Sequence, residues 1–137
     1  MKIDIIVLGE LEANCYCVRN SDKQHKCLII DPGLNPEPLI RFLKANDYDP
    51  VSIVLTHGHV DHIGGVESLR EYWPDVEVAI HEKDAEMLLN PALNLSTLAG
   101  TMVQARPAQV LLDHSQQYYT AAGLRFQVLH TPGHSPG

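Results

Sequence analysis

Residues 56–65 read Thr56-His57-Gly58-His59-Val60-Asp61-His62-Ile63-Gly64-Gly65, so three imidazoles and one carboxylate fall within six positions, directly after the apolar run Val51-Ser52-Ile53-Val54-Leu55. Ionisable groups packed this closely need an opposing partner or must surrender their charge when buried. A metal ion is a partner that suits all four. In an extended segment leaving a strand, residues two apart project to the same side, which lets His57 and His59 reach one ion. Asp61 and His62 fall where the pattern Val66, Leu69, Tyr72, Trp73 predicts a helix beginning, so they approach from another direction and suit a second ion nearby. Gly58, Gly64 and Gly65 permit tight turns and close backbone approach. A surface cluster of unrelated histidines is the bland alternative, and it leaves the metal-ligand spacing unexplained.

A second segment, Thr131-Pro132-Gly133-His134-Ser135-Pro136-Gly137, lies downstream, while Ala13-Asn14-Cys15-Tyr16 and Ile29-Ile30-Asp31-Pro32-Gly33 lie upstream. With the His-x-His-x-Asp-His-x-Gly-Gly run, these segments resemble the metallo-β-lactamase superfamily, most nearly its glyoxalase II-like (hydroxyacylglutathione hydrolase-like) members, over about residues 3–137. The resemblance implies an α/β (α+β) fold, the metallo-β-lactamase αββα sandwich, with residues 1–137 forming one domain that corresponds to the N-terminal part of the family fold. Family members continue past the Pro-Gly-His segment with an aspartate that bridges two metals and a last histidine. The sequence stops at Gly137, so the fold is expected to be incomplete at the C-terminus and the chain to be a fragment of a longer enzyme. Carried over residue by residue, His57, His59 and His134 correspond to the first metal's ligands, and Asp61 and His62 to part of the second metal's set.

Three histidines on one zinc leave a fourth position for water, the arrangement of a catalytic rather than a structural site. Hydrolysis by metal-bound hydroxide follows, since zinc brings the pKa of its water from about 15.7 to about 7. The expected reaction is cleavage of a thioester such as a hydroxyacyl-glutathione, with Asp61 as the catalytic carboxylate that positions metal and water. One or two zinc ions are expected, and the same ligands suit iron or manganese. A lactonase, an iron-dependent sulfur-oxidising activity, or an inactive metal-binding fragment that self-associates through an exposed sheet edge are the alternatives.

Composition narrows the classes further. At 137 residues and 45% hydrophobic content the chain is long and apolar enough for a packed core. A net charge of −7 and scattered basic residues argue against a nucleic-acid partner. No apolar run approaches the roughly 18 residues of a membrane helix, and Met1-Lys2-Ile3-Asp4 does not read as a signal peptide, so a cytoplasmic location with no membrane partner is expected. Cys15, Cys17 and Cys27 form no Cys-x-x-Cys pair and read as buried small apolar groups.

The elements that must position these groups are legible as well. Residues 3–8, 14–19 and 27–30 read as an antiparallel meander, with a turn at Asn20-Ser21-Asp22-Lys23. A helix follows Pro36 with Leu39, Ile40, Phe42 and Leu43 on its apolar face and stops near Asn46. Strand 51–55 leads into the metal loop, then come a helix to about Tyr72, strand 76–80, a helix over 85–89, and a long loop to about Ala108. Strands near 109–112 and 124–129 lead to His134. Among the remaining polar residues, His81 reads as a surface residue at a helix start, with the pocket mouth as the alternative, His130 as structural or as a support for a ligand, and His25 and His114 as loop residues. Asp113 is a candidate acceptor for a ligand histidine, and Asp31 reads as a turn former, with support of a ligand as the alternative.

Overall fold

The computed structural model describes residues 1–115 and 117–137. Strands β1 (Lys2–Leu8), β2 (Ala13–Arg19) and β3 (Lys26–Ile30) form the expected antiparallel meander, with Ile5 opposite Tyr16 and Cys17 opposite Ile29. Beyond β3 the sheet becomes parallel, adding β4 (Asp49–Val54), β5 (Glu77–His81) and β6 (Val110–Leu112) in the order β1-β2-β3-β4-β5-β6. Parallel neighbours require crossover connections. Helix α1 (Glu37–Ala45) joins β3 to β4, and α2 (Val60–Ile63) with α3 (Val66–Tyr72) joins β4 to β5. Pro50 lies opposite Cys27, and the β3–β4 register shifts between Cys27 and Leu28, as expected beside a residue with no N–H for the ladder.

Helix α1 forms because proline opens its first turn, where no N–H is needed, and Leu39, Ile40 and Leu43 repeat on one buried face. It ends where the Asn46 side chain donates to the Phe42 carbonyl at 2.8 Å. Its apolar face and that of α3 (Val66, Leu69) cover one side of the sheet, in a core shared with Ile29 and Ile53. The three cysteines are free and fully buried in this core. On the sheet's other side Val18 and Leu28 meet a hairpin of β7 (Tyr118–Ala121) and β8 (Leu124–Gln127). Helices, a six-stranded sheet and a two-stranded sheet are thus stacked in the order expected of an αββα sandwich.

Three expectations about elements need correction. Strand β7 was not foreseen, because Tyr118-Tyr119-Thr120-Ala121 is too short to show a period; Tyr119 packs inward and its hydroxyl bonds to Ser52 at 2.8 Å and Glu77 at 3.0 Å. Its partner β8 ends at Gln127 rather than near residue 129. The helix expected over 85–89 is a 3-10 helix over Glu82–Leu88, whose buried residues Asp84, Met87 and Leu88 suit its tighter period. His81 caps that helix, its Nδ1 accepting the Lys83 N–H at 3.3 Å, and is only 8% exposed; the reading of His81 as a surface residue is wrong. Residues 90–108 do form an irregular loop, pinned by fully buried Asn94, which donates to the Met87 and Val103 carbonyls at 2.9 Å each. No described helix is long and apolar enough to cross a membrane.

Candidate metal centre

Parallel strands β3, β4 and β5 all end at the same edge of the sheet, and the polar residues gather beyond those carboxyl ends, where open α/β sheets commonly bind ligands. Asp31 follows β3, Thr56 through His62 follow β4, and His81 closes β5. Gly65, which caps the start of α3, is packed so closely on the 32–33 turn that a Cβ there would collide with the Pro32 carbonyl oxygen. This close approach sets the loop after β4 directly against the loop after β3.

Three imidazoles converge above this edge. His57 Nε2 lies 3.1 Å from His59 Nδ1, and His59 Nδ1 lies 3.0 Å from His134 Nε2. All three nitrogens fall within 4.8 Å of one another, with His57 and His59 half-buried and His134 exposed. Donors around a tetrahedral ion with bonds of about 2.0–2.1 Å stand about 3.3–3.4 Å apart, close to the 3.1 and 3.0 Å of two of the three pairs. The donor set therefore fits a cation. Beside it, His62 Nε2 lies 3.3 Å from Asp61 Oδ2, so the nitrogen and the carboxylate oxygen expected for a second ion are also adjacent. Every residue expected at the site, His57, His59, Asp61, His62 and His134, is in one neighbourhood.

Asp31 was undervalued as a turn former. It is 3% exposed and has φ of 53°, a left-handed conformation that aspartate tolerates better than most residues. Its carboxylate accepts the Thr56 N–H at 2.8 Å, the Thr56 hydroxyl at 2.7 Å and His62 Nδ1 at 2.9 Å. A hydroxyl has one proton. Because Thr56 donates it to Asp31, Thr56 Oγ1 acts as acceptor for His57 Nδ1–H at 3.2 Å. Both His57 and His62 are thereby assigned the tautomer that leaves Nε2 with a free lone pair, the arrangement by which carboxylates orient ligand histidines. The sequence signal was available, since a carboxylate at a strand end beside a histidine-rich strand end is a candidate of this kind.

Protonation tendencies follow from the same surroundings. Burial, and then the neighbouring His62 and His59, lower the His57 pKa to about 4. Burial and His134 likewise lower that of His59. For His62 burial acts downward but is outweighed by the hydrogen bond and charge of Asp31, so its pKa is raised. His57 and His59 are thus neutral near pH 7, as metal ligands must be.

The other polar residues are not members of the three-histidine group. His130 stacks on His81 with ring centroids 4.3 Å apart, in keeping with a structural role. Asp113 accepts the Ser115 N–H at 2.7 Å, while His25 and His114 lie in exposed loops.

The Metallo-beta-lactamase superfamily profile matches residues 8–137. A probable metallo-hydrolase of Bacillus subtilis, YqgX, is 36% identical over 138 residues, spanning the whole of this chain and 63% of its own. The hydroxyacylglutathione hydrolase of Cronobacter sakazakii is 34% identical over 126 residues, 92% of this chain and 41% of its own. The crystal structure of the BLEG-1 B3 metallo-β-lactamase superposes with a TM-score of 0.91 at 40% identity, covering 99% of this chain and 64% of that one. The chain thus spans less than two thirds of the length of these relatives, and it belongs to the metallo-β-lactamase superfamily.

Proposed function

We propose that His57, His59 and His134 hold a zinc ion, with Asp61 and His62 contributing to a second metal position, and that the protein of this sequence hydrolyses a thioester such as a hydroxyacyl-glutathione. The observation that carries the reading is the convergence of three imidazole nitrogens from two distant segments at 3.0 and 3.1 Å. When bound, zinc would polarise the scissile carbonyl and make water acidic enough to attack near neutral pH. The chain's own residues supply the rest. Thr56 and Asp31 hold the His57 and His62 rings so that their lone pairs face the reacting side. Asp61, at the start of α2, positions the attacking water by accepting a hydrogen bond from it. A thiolate leaves with little help from a proton donor, which suits a site whose first histidines are neutral.

The relative named as a hydroxyacylglutathione hydrolase supports the thioester, and the BLEG-1 likeness supports a β-lactam as the second reading. Both substrates present an acyl carbon to the same nucleophile. The donor set of imidazole and carboxylate also suits iron, so the metal is read out directly by elemental analysis of protein purified without added metal. Turnover of S-lactoylglutathione and of a chromogenic cephalosporin by the zinc-loaded protein decides between the substrates. Loss of thioester turnover in His59→Ala is expected; preference for the cephalosporin would replace this reading with the second.

A further inference from the structure

The loop that delivers His134 has little packing of its own. Residues 131–134 are exposed. Its internal contacts are short in range: the Gly133 N–H donates to the Ser135 carbonyl at 2.9 Å, and His130 Nε2 meets the Pro136 carbonyl oxygen at 3.1 Å. Besides His134 itself, a tie to the rest of the molecule lies at the far end, where the Gly137 N–H donates to Asp84 Oδ1 at 2.7 Å across 53 residues of sequence. His130, stacked on His81 with the rings 8° from parallel, steadies the near end against the same 3-10 helix.

Asp84 is an expensive residue to keep where it is. It is 0% exposed, and a buried carboxylate is destabilising unless its oxygens are bonded. Yet Asp84 Oδ2 has no hydrogen-bond partner among the described residues, and neither has His81 Nε2 beside it. A natural core that tolerates such groups does so for a reason other than stability. The contact is also made to measure. A Cβ on residue 137 would lie 2.8 Å from Asp84 Cγ and 2.9 Å from His81 Cβ, so glycine is required for the backbone to come down onto the carboxylate.

We propose that Asp84 is a positioning residue for the metal centre. By binding the Gly137 N–H it fixes loop 131–137 on the helix that follows β5, and so places His134 Nε2 against His59 Nδ1. Strand β5 is the immediate, parallel neighbour of β4, whose following loop carries His57 and His59; two adjacent parallel strands thus set the two halves of the ligand set relative to each other. Asp84 acts through the backbone of the loop and need not touch the ion. The inference rests on the metal reading of the three histidines.

The test is zinc affinity, measured by competition with a chromophoric chelator, for the unaltered chain, Asp84→Ala, Asp84→Asn, His134→Ala and the double variant Asp84→Ala/His134→Ala, with folding followed by circular dichroism. Asp84→Ala is expected to weaken zinc binding by about 10–100-fold, the usual effect of removing a residue that orients a ligand. Asp84→Asn keeps an oxygen that accepts the Gly137 N–H and should retain most of the affinity. In the His134→Ala background, Asp84→Ala should cost nothing further, because both changes remove the same ligand. If Asp84→Ala does not fold, Gly137→Ala breaks the same contact from the loop side and takes its place in the cycle. Unchanged affinity in Asp84→Ala, or a loss that persists undiminished without His134, would overturn the inference and leave the metal reading standing. Failure of the unaltered chain to take up zinc would overturn both.

Discussion

Asp31 shows how much a single side chain organises here. One carboxylate satisfies the Thr56 N–H, sets the Thr56 hydroxyl and fixes the His62 ring. Asp31→Asn preserves the left-handed backbone and the shape of the side chain but removes the charge and replaces an acceptor with a donor. We expect it to fold, with metal affinity lower by about 10–100-fold, as read by chelator competition. Asp31→Ala removes both acceptors of Thr56, and because Thr56 is exposed water can replace them, so the further loss of stability in urea unfolding should be about 1 kcal/mol, the net worth of ordinary hydrogen bonds. If Asp31→Asn binds metal as tightly as the unaltered chain, Asp31 is a turn former after all. The clustered histidines were legible because their types and spacing are informative in one dimension. Asp31 was read mainly as a turn former, because an aspartate before Pro-Gly has a sufficient local explanation and its bonds reach the loop after β4, 25 residues away.

At the scale of elements, α3 is fastened to the chain that precedes β6 by charged groups. Arg70 is 4% exposed and donates to the Arg106 and Pro107 carbonyls at 2.8 and 2.9 Å, while Glu67 accepts the Arg106 N–H at 2.9 Å. Burial tends to raise the Glu67 pKa, but the hydrogen bonds from Arg70 and Arg106 outweigh it and hold the carboxyl below its ordinary value of 4.5. A depressed carboxyl pKa stabilises the fold above the unfolded value and ceases to do so as pH falls through the folded one. The stability difference between the unaltered chain and Glu67→Gln should therefore be constant from pH 6 to 7 or so and shrink below about pH 4, measured as urea midpoints across that range. A difference independent of pH would mean that shape, not charge, joins these elements. The strands and α1 could be read in advance because each carries its own hydrophobic period. Strand β7 and the 3-10 helix could not, since four and seven residues offer too few repeats and their conformations are set by what they pack on.

Over the whole molecule, apolar surface is unevenly covered. The outer strand β1 exposes Ile3, Ile5 and Val7 at 50%, 61% and 55%, in the alternation of a strand face that nothing covers. An edge strand with such a face favours pairing with another chain. Concentration-dependent self-association is expected by sedimentation velocity, and Ile5→Lys should suppress it while leaving metal uptake unchanged; a monomer at all concentrations would count against this. The split of the ligand set has a consequence of a different kind. His57 and His59 are neighbours in any conformation of the chain, but His134 is 75 residues from His59, and closing a gap of that length in a flexible chain costs about 4 kcal/mol of configurational entropy. An unfolded chain can therefore offer a metal only the local group of His57, His59, Asp61 and His62 without His134, and the ion favours the folded state. By mass action, saturation at about 1,000 times Kd adds about 4 kcal/mol of stability, so chelation should lower the melting temperature and the His134→Ala chain should show a much smaller drop. The ion would then report on the docking of residues 131–137 as well as serve as a reagent, since a chain in which that segment is undocked lacks His134 as a ligand.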